Sequence, residues 1–483
     1  MRGARRLALW LGPLCALGCL LWVEVPDRPA AGAMLGVALW MALWWISECV
    51  PLAVTALIPV IVFPLTGIAP ARETAPRYMS SIMFLFVGGF LVAQALEVCG
   101  LHRRIALAIL QRLHRSPVQI LAGFGLATAV LSMWISNTAT TMLMVTIAMA
   151  VLKHLDHLFA PRDMARLAPA LLLVVAYAAN IGGMGTPVGT VPNLVLLENL
   201  RTIEPALVPG FLQWMLLGVP LVVLGLVLVL VVLAWPLRKL PWPGEVAGGL
   251  EAEHKALGAM GRDERFVAWV LGLTALAWLT RQGIKGEGFE IPGWSAWLPH
   301  GGVDDGTVAM VGALVLFLAP VRAGAPILGR DAIQALPWNI LILLGGGFAL
   351  AYGMKVSGLS LWLGEQLTGF GQVPLPLMLL GVALAVTFLT EISSNTATTQ
   401  ILLPVLAGVA LAEGQDPVSI MLAATLAASC AFMLPVATPP NAIVFGTARL
   451  PMQAMVRAGI RLNLLLPFLI LALLWWLRPL LPG

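Results

Sequence analysis

Apolar residues run along this chain in stretches of membrane length, and the polar residues that interrupt them do so in a repeating order. A helix that crosses the hydrocarbon layer takes about 20 mostly apolar residues. Such runs are read at 7–25, 31–48, 51–66, 82–98, 168–200, 210–237, 265–280, 305–320, 338–354, 418–447 and 455–477, which predicts about 11 transmembrane helices. The apolar residues are continuous, not alternating, which excludes a membrane β-barrel. Glycine and proline break two of the runs, 168–200 and 418–447. Two further stretches, 117–155 and 376–413, are apolar but cut by a short polar tip, and each is read as a re-entrant hairpin.

The tips nearly match. One reads WISNTATTML, Trp134–Leu143; the other reads EISSNTATTQ, Glu391–Gln400. Other landmarks repeat in the same order. FVGGFLVAQALEVCGL (Phe86–Leu101) resembles LGGGFALAYGMKVSGL (Leu344–Leu359), and both this pair and the tips are offset by 258 residues. GTPVGTVPN (Gly185–Asn193) resembles LPVATPPN (Leu434–Asn441) at an offset of 248. The chain is therefore read as one extra helix followed by two related halves. Each half holds five crossings and one hairpin that returns to its own side. An odd number of crossings turns the second half upside down, the inverted-repeat plan of secondary transporters.

Composition agrees with a polytopic helical membrane protein. Of 483 residues, 60% are hydrophobic and 11% charged, against about 25% charged in a soluble domain. The net charge of +5 sits in the connecting loops, so it is no nucleic-acid signal. Placing the N-terminus in the cytoplasm puts 20 of the 28 lysines and arginines on that side, as the positive-inside rule requires. The start, MRGARRLALWLGPLCALGCLLWVEV, has the basic-then-apolar order of a secretory leader. No small-residue cleavage site follows it, so it is read as an uncleaved first span. The cysteines Cys15, Cys19, Cys49, Cys99 and Cys430 lie in or beside apolar runs and form no metal or disulfide pattern. Leu101–Ser116 is too polar to span; Ile105, Ile109 and Leu113 share one face, so it is expected along the membrane surface, with 357–369 as its weaker counterpart. His102 and His114 flank this segment and are expected in solvent.

Irregular polar chain at membrane depth survives only where protein buries it or a cavity receives it. The tip residues Ser136, Asn137, Thr138 and Ser394, Asn395, Thr396 are therefore expected in a sealed pocket, facing each other across the repeat axis. The helices restarting after Pro192 and Pro440 point N-termini at the breaks, which favours an anion. The helices ending before the breaks offer free carbonyls, which favour a cation. Lys, Arg and His are absent from both tips and both breaks, so an anion there needs bound cations as partners. Glu391 is an intramembrane carboxylate and so a functional candidate; its counterpart in the first half is Met133, and it is read as a buried structural acid. Neither paired core carboxylates nor a core histidine nor a zinc-protease motif occurs in the sequence, which argues against an intramembrane enzyme. A channel fits inverted repeats with closed tips less well than alternating access does.

The paired SNT motifs, followed by GTVPN and ATPPN, resemble those of the divalent-anion/sodium symporter family, which includes the sodium–dicarboxylate and citrate cotransporters. The resemblance covers almost the whole chain. It implies an all-α elevator-type transporter, a homodimer in the inner (plasma) membrane, with Na+ as coupling ion and a small dianion as substrate. It implies a first sodium site at Ser132, Ser136, Asn137 and Gly189, and a second at Thr390, Ser394, Asn395 and Ala437. Substrate would meet Asn137, Thr138, Thr190, Asn395, Thr396, Thr438 and Pro439. Ser132 and Thr390 fit independently, each four residues before its tip serine and so on the same helical face. The implied division is a first helix in 1–29; a first repeat, 30–237, with scaffold helices in 31–98, a surface helix at 101–116, a hairpin at 117–155 and transport helices in 168–237; a cytoplasmic loop, 238–264; and a second repeat, 265–483, with scaffold helices in 265–354, a surface helix at 357–369, a hairpin at 376–413 and transport helices in 418–477. Sodium-independent dicarboxylate exchange and sulfate transport on the same fold are the alternatives.

Overall fold

Helices lie over each of the apolar runs in the computed structural model, which describes residues 2–242, 253–286, 289–298, 302–322, 324–366 and 373–478. Among the described residues, eight helices are long and apolar enough to cross a membrane by length and composition. The third run is not one helix. It divides into Leu52–Thr55 and Ile58–Thr66, because Pro59 has no N–H to continue the first segment. The chain is not purely helical either. Two short antiparallel ribbons, Ile284–Gly286 with Phe289–Ile291 and Pro320–Arg322 with Ala325–Pro326, form in connecting segments outside the apolar runs.

Pro161–Gly182 stands at the centre, with its most apolar window wholly enclosed by protein. At the periphery, Arg2–Trp22 keeps only 6% of its window buried and packs on Ala31–Ser47. A helix apolar all round is either enclosed or lipid-facing, and both cases occur here.

The halves interlock by exchange. Ser81–Cys99 of the first half packs on Asp305–Leu318 of the second, while Trp338–Val356 of the second packs on Leu52–Thr66 of the first. The same crossing recurs nearer the tips. The helix Asn137–Leu155 packs on Pro439–Phe445, and Asn395–Ala412 packs on Val191–Ile203. Gly100 (φ 79°) and Gly358 (φ 73°) end Ser81–Cys99 and Trp338–Val356 in the left-handed conformation, which glycine adopts without a Cβ penalty. Each glycine turns the chain into the next short helix, Leu101–Leu110 or Leu359–Gln366. Part of the second expected surface segment, 367–369, lies outside the described residues.

Leu101–Leu110 buries Leu107 and Leu110 against the protein, while Ile105 and Ile109 are half-buried. Arg104 anchors it, donating to both carboxylate oxygens of Glu264 (2.8 and 3.0 Å) and to Gly258 O (3.0 Å). His102 and His114 are half-buried, not solvated; His102 Nδ1 lies 2.9 Å from Leu96 O.

Candidate functional site

Each hairpin is two helices joined by a polar tip. Pro117–Ser132 and Asn137–Leu155 form the first; Leu375–Leu389 and Asn395–Ala412 form the second. Ser136 caps its helix by accepting from Ala139 N at 3.2 Å. Ser394 holds the same position with no side-chain cap bond. Behind each tip lies a broken helix. Pro161–Gly182 continues as a tight turn, Gly183–Gly185, and restarts as Val191–Ile203; Pro417–Ala428 gives way to irregular chain with a turn at 435–437 and restarts as Pro439–Phe445.

The same small arrangement of atoms is built twice. Ser132 Oγ donates toward Asn137 Oδ1 (2.7 Å) and Ala179 O (2.8 Å). Thr390 Oγ1 donates toward Asn395 Oδ1 (2.5 Å) and Ala428 O (2.9 Å). In each set one hydroxyl hydrogen serves three oxygens, so acceptors outnumber donors. Such an oxygen-rich set suits a hard cation. The loops are braced alike. Asn193 Nδ2 donates to Gly183 O (3.1 Å) and Thr186 O (2.8 Å), and Asn441 Nδ2 donates to Ala431 O and Leu434 O (both 3.0 Å). The other amide oxygens, Asn193 Oδ1 and Asn441 Oδ1, are buried with no hydrogen-bond partner among the described residues.

Gly183 shows how tightly the first set closes. A Cβ at this position would lie 2.7 Å from Asn137 Oδ1, 3.1 Å from Gly189 O and 3.1 Å from Thr190 Cβ. Ser132, Asn137, Gly189 and Thr190 therefore gather at one point. In the second half Thr390 joins Asn395, while Thr438 Oγ1 caps its helix by accepting from Asn441 N at 3.3 Å. Ala437 is buried beside Thr438. Thr138 and Thr396 are half-buried on the first turns of their helices; Ser136 and Pro439 are exposed. Expected buried, Asn137 and Asn395 are half-buried in the single chain, as are Thr138 and Thr396.

Glu391 is 3% exposed and accepts four N–H groups. Phe432 N (2.6 Å), Met433 N (2.8 Å) and Asn463 Nδ2 (2.7 Å) donate to Oε1, and Leu434 N (2.9 Å) donates to Oε2. It is a loop anchor, as its apolar counterpart Met133 suggested. Sequence reasoning missed Asn463, Tyr177 and Asn180, since a lone polar residue in an apolar helix carries no periodic or motif signal. It also passed over Glu198, 2% exposed, which accepts from Ser80 Oγ at 3.0 Å.

Solved structures of the same architecture are membrane transporters. The YdaH transporter of Alcanivorax borkumensis aligns with a TM-score of 0.56 at 18% identity, covering 87% of this chain and 89% of that one. MtrF of Neisseria gonorrhoeae, from a class of antimetabolite efflux pumps, aligns with 0.56 at 13% identity, covering 86% and 84%. At these identities the likeness concerns the fold. Residues 13–481 match the family described as the sodium:sulfate symporter transmembrane region, and the chain belongs to that family of multi-span membrane transporters. The sodium-dependent dicarboxylate transporter SdcS of Staphylococcus saprophyticus is 37% identical over 489 residues, 98% of this chain and 91% of that protein. SdcS of Staphylococcus aureus is also 37% identical, over 99% of this chain and 92% of that protein.

Proposed function

We propose that the protein is a secondary active transporter that imports a small di- or tricarboxylate of the succinate, malate, fumarate and citrate class together with sodium. The observation that carries this reading is the duplicated oxygen cluster, Ser132–Asn137–Ala179 O and Thr390–Asn395–Ala428 O, beside two broken helices. Discontinuous helices whose carbonyl ends face a cation and whose N-termini face an anion form transporter sites. The near full-length likeness to SdcS supports the dicarboxylate and the sodium.

On this reading Ser132, Ser136, Asn137 and Gly189 hold one sodium, and Thr390, Ser394, Asn395 and Ala437 hold the other. The substrate carboxylates sit between them against Asn137, Thr138, Thr190, Asn395, Thr396, Thr438 and Pro439. Unlike charges about 4 Å apart attract by about 4 kcal/mol at an effective dielectric of about 20, so bound sodium replaces the missing arginine or lysine. Anion binding then requires sodium, and the linkage is reciprocal. The hairpins and broken helices move as one transport body against a scaffold of the helices in 31–98 and 265–354, in an elevator motion. The assembly is a homodimer in the inner membrane, with about 11 crossings and a cytoplasmic N-terminus.

The family description favours a second reading, cotransport of sulfate, since no basic residue in the tips ranks one compact dianion above another. Uptake of labelled succinate into proteoliposomes tests both, with inward sodium and with choline in its place, and with sulfate as competitor. Sodium-driven succinate uptake that Asn137→Ala or Asn395→Ala abolishes is expected. Equal uptake in choline favours sodium-independent exchange, and sulfate uptake without succinate uptake favours the sulfate reading.

A further inference from the structure

Two buried side chains of the central helix Pro161–Gly182 leave the first half and grip the second loop. Tyr177 Oη donates to Phe432 O at 2.8 Å, and Asn180 Nδ2 donates to Ala431 O at 3.3 Å and to Thr438 Oγ1 at 3.2 Å. The carbonyl immediately before Asn180, Ala179 O, belongs to the first oxygen cluster. Adjacent residues of one helix turn thus touch the first oxygen cluster and the loop behind the second. The link runs one way. In the second half Ala428 supplies the corresponding carbonyl, but the residue after it is Ser429, whose buried Oγ has no hydrogen-bond partner among the described residues.

The second loop needs such a link. Residues 430–434 have no helical or tight-turn structure, so the shape of this loop depends on the side chains that reach it. Of these, Asn180 alone stands next to a carbonyl of the other cluster. A cation entering the first site pulls Ala179 O and Asn137 Oδ1 toward itself and fixes the last turn of the helix. The side chain one residue on is fixed with it, in the position that holds Ala431 and Thr438.

We propose that Asn180 is a positioning residue that makes binding of the two coupling cations cooperative, by tying the last turn beside the first site to the loop of the second. The inference rests on the sodium-coupled reading above and adds the physical connection between its two sites. Coupling of this kind changes affinity by about 5- to 150-fold and acts equally in both directions.

The test is a sodium titration of the purified full chain at constant ionic strength, read by succinate uptake into proteoliposomes and independently by intrinsic tryptophan fluorescence. For the natural chain the Hill coefficient for sodium is expected between 1 and 2, close to 2, since it is bounded by the number of sites. Asn180→Ala is expected to bring it to about 1 in the fluorescence readout, to lower it in uptake without reaching 1 because both ions are still required, and to raise half-saturation by about fivefold or more, while maximal uptake stays within about twofold. Asn180→Ser, too short to reach Thr438, should behave likewise and serves where the alanine variant does not remain monodisperse. A monodisperse Asn180 variant with an unchanged Hill coefficient overturns the inference, as does a coefficient of 1 in the natural chain. Failure of both variants to fold also overturns it, since the role of Asn180 is then structural. Uptake indifferent to sodium in the natural chain is a separate result, which removes the proposed function itself.

Discussion

Ser132 and Thr390 each place one hydrogen among three oxygens, and the rest of the site is arranged around that shortage. Removing either hydroxyl takes away the donor that holds the asparagine and, on the proposed reading, a cation ligand. Losing one such interaction costs about 1–2 kcal/mol, a factor of about 5–30 in an equilibrium. Ser132→Ala and Thr390→Val are accordingly expected to raise the sodium concentration for half-maximal uptake by about that factor, with the protein still monodisperse. A sodium titration of uptake checks this; unchanged half-saturation in both variants would remove these hydroxyls from the ion sites. Gly183→Ala acts by space. Its methyl would meet Asn137 Oδ1 at 2.7 Å and backbone at Gly189 O, neither of which can yield without opening the cluster. Gly185→Ala is the control, because the three atoms nearest its methyl are side-chain atoms outside the cluster, Met133 Cε at 2.9 Å, Met133 Cγ at 3.0 Å and Val222 Cγ2 at 3.2 Å. Sodium-driven uptake should fall at least about tenfold in the first and change little in the second.

The two breaks are matched in position and built differently. The first makes its own tight turn at Gly183–Gly185. The second is irregular over 430–434, and the N–H groups of Phe432, Met433 and Leu434 turn to Glu391. The carboxylate does for the second loop what local hydrogen bonding does for the first. Glu391→Gln would turn an NH2 group toward N–H donors, and a stranded buried donor costs about 1–3 kcal/mol. Its unfolding temperature in detergent should drop by several degrees, while Met133→Gln should leave it nearly unchanged. Another element-level tie responds to acid. The Arg104 guanidinium, hydrogen-bonded to Glu264, holds that carboxyl below its ordinary range. A depressed carboxyl stabilises above its unfolded-state pKa, and that contribution is lost as pH falls through the folded value. The protection factors for hydrogen exchange in Leu101–Leu110, corrected for the intrinsic pH dependence of amide exchange, should therefore fall on acidification below the ordinary carboxylate range and stay unchanged between pH 6 and 8. Arg104→Gln should remove the difference. The positions of breaks and tips were readable in the chain, because glycine, proline and small polar residues act on their own backbone. The partner of Glu391 was not, since Asn463 is 72 residues away.

The elevator reading makes a demand on the whole molecule: the second hairpin must slide past the helix Trp338–Val356. Today's contact between them is close. Gln400 Nε2 donates to Leu343 O at 3.0 Å, and a Cβ at Gly347 would lie 2.6 Å from Gln400 Cγ. Cysteines introduced as Gly347→Cys and Gln400→Cys should join on oxidation and arrest uptake, with dithiothreitol restoring it and the natural chain unaffected by the same treatment. Uptake that persists in fully cross-linked protein would exclude relative motion of these two elements.

Order of residues alone specified the apolar runs, the twin tips and the broken helices. Partitioning into lipid and helix breaking are properties of a local stretch, and a duplicated motif needs no coordinates to be seen. Folding in three dimensions settled which distant groups meet. Tyr177 reaches Phe432 and Asn180 reaches Thr438 across separations of 255 and 258 residues. It also left the tips half-buried in the single chain and made the two loops unequal. These features arise where helices from opposite halves pack together, and a single buried polar side chain finds its partner only there.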